Sequence, residues 1–164
     1  MAHDAVRLAT ELAQPISLAI ALGYLSFLHQ FRGEARLAQE QAEATIARSA
    51  EQAYFQYRAT GIIIRGWAVA AQGDLEAGTA ALQEGLTDLR AAGADVRRSY
   101  FLALLADICA RAGRTDAAQS AIAEALAFAE ESGERWWEAD LHRLKGEFLL
   151  AQLSLSPGIG PGGR

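Results

Sequence analysis

The chain carries one cysteine, Cys109, in 164 residues. A disulfide framework or a thiolate-rich metal site within one chain is therefore excluded. Proline occurs three times, and Val, Ile and Thr are thinly scattered among Ala, Leu and Glu. That composition argues against a β-sandwich or barrel. No stretch reaches the length of apolar sequence needed to span a bilayer; the best run, residues 16–28, reads as a buried helix. The start, Met1 to Arg7, has no basic region leading into an apolar one, so a signal peptide is not expected and the chain reads as cytoplasmic. Excess basic charge is also missing. The net charge of −5 argues against nucleic-acid or anionic-membrane partners. What remains is 51% hydrophobic and 21% charged, a globular mixture.

Catalytic signatures are equally scarce. No glycine-rich stretch leads into Gly-Lys-Ser/Thr, so there is no phosphate loop. His3, His29 and His142 have no His or Cys partner at helical spacing, so no metal site and no cofactor is expected. Ser17 and Ser26 lack a readable histidine and acid pairing. Cys109 sits in an apolar helix as a small core residue, and His29 near a helix end as a partly buried ring. The chain is not read as an enzyme, and no catalytic residue is assigned.

Glycine is the residue with a pattern. Gly33, Gly73 and Gly113 are spaced by 40, as are Gly93 and Gly133, with Ala53 at the matching place in the first copy. Each closes one helical stretch and opens another, where a left-handed residue lets the chain turn. A period of about 40 residues is a helical-hairpin signature. First helices are predicted over 16–31, 55–72, 97–112 and 135–151, and second helices over 35–52, 75–91 and 115–131. Residues 3–13 read as the remnant of an earlier second helix.

In 115–131, Ala118, Ile122, Ala125, Leu126 and Ala129 form one apolar stripe. The run from Tyr100 to Leu105 is apolar all round, so first helices should be buried on two sides. Ser26, Gly66, Ala106 and Gly146 recur at one place in the first helices, where two backbones are expected to meet closely. Arg65 and Lys145 interrupt apolar runs. Their stems should fill gaps while their heads reach a carboxylate such as Asp107, Glu138 or Glu147.

These words resemble the tetratricopeptide repeat. A small residue at 26, 66, 106 and 146 is followed seven positions on by glycine at 33, 73 and 113, and then by Ala38 or Ala118. The usual first-helix tryptophan is replaced by Leu22, Ile62, Leu102 and His142. Further words resemble the C-terminal repeat region of large bacterial signalling proteins that carry an AAA- or STAND-type ATPase module. Such proteins often have a cyclase-like or winged-helix domain upstream. The matching words are Gln14 to Ala19, Leu28 to Gly33, Gly61 to Ala68 and, most specifically, Gly133 to Glu147. Neither the ATPase nor the cyclase is present here.

The resemblance implies an all-α, tetratricopeptide-like solenoid over 1–152, with hairpins at 14–53, 54–93 and 94–133 and an unpaired helix at 135–151. Residues 153–164 read as a flexible Gly/Pro-rich tail. It also implies a concave face that binds a protein or peptide. Transferring positions by the glycine register places Gly23, Phe27 and Gln30 there, then Thr60, Ile63, Trp67 and Ala70. Tyr100, Ala103, Asp107 and Ala110 come next, and Asp140, Arg143 and Glu147 last. Such a groove runs from aromatic to acidic. The alternative is a self-association unit, a homodimer through exposed solenoid ends, with Trp136, Trp137, Leu141 and Leu149 as its contacts. Within a helix the two adjacent tryptophans would point about 100° apart, one into the core and one half-exposed.

Overall fold

The computed structural model describes residues 2–51 and 53–155. Among them the chain forms eight α-helices and no strand: α1 (Ala2–Glu11), α2 (Pro15–Phe31), α3 (Ala35–Glu51), α4 (Phe55–Ala71), α5 (Leu75–Ala91), α6 (Arg98–Arg111), α7 (Thr115–Ser132) and α8 (Glu138–Leu155). No helix among the described residues is long and apolar enough to cross a membrane.

The turns explain where the helices stop. Ala13, Gly33, Ala53, Gly73, Gly93, Gly113 and Gly133 all have positive φ, one every twenty residues. At Gly33 the N–H of Glu34 reaches back to the His29 carbonyl at 2.9 Å, and that of Gly33 to Gln30 at 3.0 Å. This pair of bonds satisfies carbonyls that a helix end would leave bare. The same pattern recurs at Ala53, where the Tyr54 N–H donates to the Ser49 carbonyl at 2.9 Å. Alanine there holds φ at 55°, a conformation that glycine takes without steric cost.

Packing follows the order of the chain. Each helix packs on the next, and α2 also packs on α4, α4 on α6, and α6 on α8. Among the described residues α3, α5 and α7 make no such contacts with one another. The burial pattern matches. In α4 and α6 residues are buried on several sides, among them Ile62, Ile63 and Ile64, and Tyr100 through Ala106. In α7 only one stripe is buried: Ala118, Ala121, Ile122, Ala125 and Ala129.

Backbones meet most closely between α4 and α5. A Cβ added at Gly66 would lie 2.8 Å from both the Gly78 carbonyl oxygen and the Leu82 nitrogen. The same addition at Gly78 would lie 2.7 Å from the Gly66 carbonyl oxygen. Gly146, read from its register as an equivalent contact, has nothing within 4 Å of such a Cβ among the described residues. Gly66 is enclosed by α5, the helix that follows α4, and among the described residues no helix follows α8.

Three other expectations are corrected. The last helix begins at Glu138, not at 135, so Trp136 and Trp137 lie in the turn before it. Glu138 and Asp140 in its first turn favour a helix start there. The helix also continues to Leu155, so residues 153–155 of the predicted tail are helical, and 156–164 lie outside the described residues. Arg65 is half-buried without a carboxylate partner among the described residues. The acids proposed for it are taken: Asp107 by Arg111 at 3.7 Å, Glu138 by Arg135 at 3.3 Å and Glu147 by Arg143 at 2.7 Å.

Candidate binding face

The contacts of α2, α6 and the turn before α8 gather six aromatic rings. Phe27 stacks with Phe101 at 5.9 Å and with Phe31 at 6.5 Å between ring centroids. Tyr100 lies 5.5 Å from Phe31, meets Trp137 edge-on at 4.7 Å and lies 5.5 Å from Trp136. The spacing is that of favourable aromatic pairs. Tyr100 is buried, and its hydroxyl donates to Oε1 of Gln30, seventy residues earlier in the chain. Burial pushes the Tyr100 phenol well above its ordinary pKa. The Gln30 hydrogen bond opposes that shift, and the nearby Asp140 charge adds to it. The Trp137 indole N–H is buried and finds no acceptor among the described residues.

Phe27, Gln30, Tyr100, Trp136 and Trp137 are thus brought together. Phe27 and Tyr100 form the floor, whereas Trp136 (51% exposed) and Phe31 (55%) form the surface. Phe31 escaped the sequence reading although it lies one helical turn beyond Phe27, on the same face. Leu141 is wholly buried and so is unavailable as an interface residue; Leu149 is exposed.

Other predicted positions lie elsewhere. Ile63 is wholly buried and points at α5, where its Cγ1 would be 2.6 Å from a Cβ at Gly85. It cannot line a groove. Trp67 is half-buried and packs against the core. The acidic end is largely neutralised within the chain. Asp107 pairs with Arg111, and Arg143 is held by Asp140 and Glu147, each at 2.7 Å. Those two carboxylates, Asp140 first, raise the Arg143 pKa further above its usual value.

Thr60 borders a separate cleft of about 190 Å³ between α2, α4 and the α5–α6 loop, which Phe27, Tyr24 and Arg97 also line. Arg97 stands at φ 64° as the residue before α6. Its N–H donates to the Glu134 carboxylate at 2.7 Å, and the Ser99 N–H and hydroxyl donate to the other oxygen of the same group. Glu134 therefore caps α6 from the α7–α8 loop, a long-range bond with no sequence signal.

His29 is buried at the end of α2, with Nδ1 2.6 Å from Glu34 Oε2. That hydrogen bond is the main reason that the Glu34 carboxyl lies below its usual pKa, with Arg32 adding to it. Cys109 is buried, which pushes its thiol up. Among the described residues no three His, Cys, Asp or Glu side chains are grouped to hold a metal.

No family model matches the chain. Over 84 residues, 51% of its length, it is 34% identical to the uncharacterized protein R02095 of Rhizobium meliloti (strain 1021). The matched stretch spans 8% of that much longer relative.

Proposed function

We propose that the chain is a tetratricopeptide-like helical-hairpin array, a non-catalytic protein- or peptide-interaction and regulatory module of a larger bacterial signalling or transcription regulator. In this reading it works in the cytoplasm. The observation that carries the binding reading is the pair of exposed rings, Phe31 and Trp136, set on a buried aromatic floor. Rings supported from beneath lose little freedom on binding, and aromatic anchors concentrate binding energy. Homology to a small stretch of a long chain is consistent with a module of a larger protein.

The test is a selection from a displayed random-peptide library, followed by anisotropy titration of the enriched peptides. Trp136→Ala should weaken them at least about tenfold, the scale of one anchor residue, while Leu149→Ala leaves them unchanged. Failure to enrich any peptide, or equal binding by Trp136→Ala, refutes the reading.

Leu149, Leu150 and Leu153 favour a second reading, self-association, because all three are exposed on α8. Light scattering over a wide concentration range tests it. A dimer that Leu153→Glu dissociates supports this reading, and a monomer throughout refutes it.

A further inference from the structure

We infer that the cleft beside Arg97 is a binding site for a small organic acid, a carboxylate on a compact apolar body. The inference goes beyond the peptide reading: the cleft shares Phe27 with the aromatic floor but contains neither Phe31 nor Trp136, the exposed rings that carry that reading.

The charge comes first. Most described arginines are paired with a carboxylate, but Arg97 has no such partner among the described residues. Its guanidinium lies over two rings, 5.3 Å from the Tyr24 centroid and 5.0 Å from that of Phe27. One terminal nitrogen donates to the Tyr24 hydroxyl at 3.1 Å. Stacking and that single bond orient the fork and leave other N–H donors for a planar anion. Asp95 is paired with Arg98 at 3.2 Å, and the Glu134 carboxylate is taken by the backbone N–H groups of Arg97 and Ser99, not by the guanidinium.

The backbone comes second. Arg97 is held in the left-handed region, where glycine is at ease and a side chain is strained. The Glu134 carboxylate holds its backbone N–H, while Tyr24 and Phe27 hold the guanidinium at the other end of the side chain. Such strain persists only where the surrounding structure restrains it.

The cleft comes third. Ile20, Phe27, Leu89 and Val96 give it an apolar wall, and Thr60 and Gln56 a polar one. Its volume of about 190 Å³ is below the roughly 300–1,000 Å³ of drug-sized ligand sites, so the body must be small. A carboxylate on the guanidinium would direct that body toward Phe27 and Leu89.

Calorimetric titration with phenylacetate, neutral phenylacetamide and inorganic phosphate tests this, on the parent chain, Arg97→Gly and Arg97→Lys. Saturable phenylacetate binding is expected, at least tenfold tighter than that of either the amide or phosphate. Arg97→Gly should lose it at least tenfold yet melt no lower than the parent, since glycine accepts this φ. Arg97→Lys, which keeps the charge without the fork, should fall between. If Arg97→Gly unfolds, Arg97→Lys alone decides: undiminished binding overturns the proposal. It is also overturned if phenylacetate fails to saturate at tens of millimolar, if the amide or phosphate binds equally well, or if folded Arg97→Gly keeps its affinity. Peptide binding at Trp136 should be the same in all three chains, so the two readings can fail separately.

Discussion

Gly66 and Gly146 occupy the same register in α4 and α8, and substituting each by leucine should move stability in opposite directions. At Gly66 the first added atom would already lie 2.8 Å from two backbone atoms of α5 and 3.2 Å from the Ala81 Cβ. Unstrained carbon contacts are roughly 3.5–4.0 Å, so α4 and α5 would have to move apart. Overpacking by even a methylene costs about 1–3 kcal/mol, and leucine adds three further carbons beyond Cβ. Against this stands a helix-propensity gain of somewhat under about 1 kcal/mol on replacing glycine. The net expectation for Gly66→Leu is a loss of at least about 2 kcal/mol, or about 4–8 °C in melting temperature for a chain of this size. At Gly146 an added Cβ would meet nothing within 4 Å among the described residues outside its own helix backbone, so only the propensity gain remains. Gly146→Leu should stabilise α8 by about 0.5–1 kcal/mol. Circular dichroism melts and urea curves report on the first variant, and amide exchange within α8 on the second. A Gly66→Leu midpoint within a degree or two of the parent would refute the close-crossing argument. So would equal shifts of the same sign in both variants.

Ala53→Gly should be stabilising by about 0.5 kcal/mol. Relief of the left-handed alanine, about 1–2 kcal/mol, outweighs the added freedom of the unfolded chain; a lower urea midpoint would contradict this. Glu134→Ala removes the acceptor that caps α6 and should cost about 1–2 kcal/mol, with faster amide exchange at Arg97 and Ser99 as its local sign. Tyr100 contributes to the alkaline limit, beside the buried Cys109 thiol, which burial also pushes up. Its raised folded pKa means that the folded state holds the phenolic proton more tightly, so this contribution is intact below the unfolded value of 10.0 and is lost as pH rises past it. Urea midpoints should therefore fall above that pH in the parent and fall less steeply in Tyr100→Phe; parallel profiles would exclude Tyr100 as the cause.

The helices were legible because their ends are local chemistry. A left-handed residue every twenty positions needs only a glycine or a tolerated alanine, and the glycines at 33, 73, 93, 113 and 133 announce themselves. The apolar stripe of α7 and the all-round burial of α6 follow from side-chain spacing alone. The candidate site was only half legible. Phe27, Gln30 and Tyr100 share a face by register, yet that their side chains touch depends on how α2 and α6 are each packed on α4.

What the sequence determined by itself was the series of helices, their approximate ends and the stripe that α7 buries, because these depend on interactions a few residues apart. Tertiary structure decided the rest. It turned Ile63 toward α5, left Gly146 open while enclosing Gly66, and set Trp136 and Trp137 in a turn. It also laid Arg97 over Tyr24 and Phe27, with no carboxylate paired to it among the described residues. The reason is physical: register places a residue on a helix, but its environment is set by the helix that packs against it, and equivalent positions meet different neighbours along the chain.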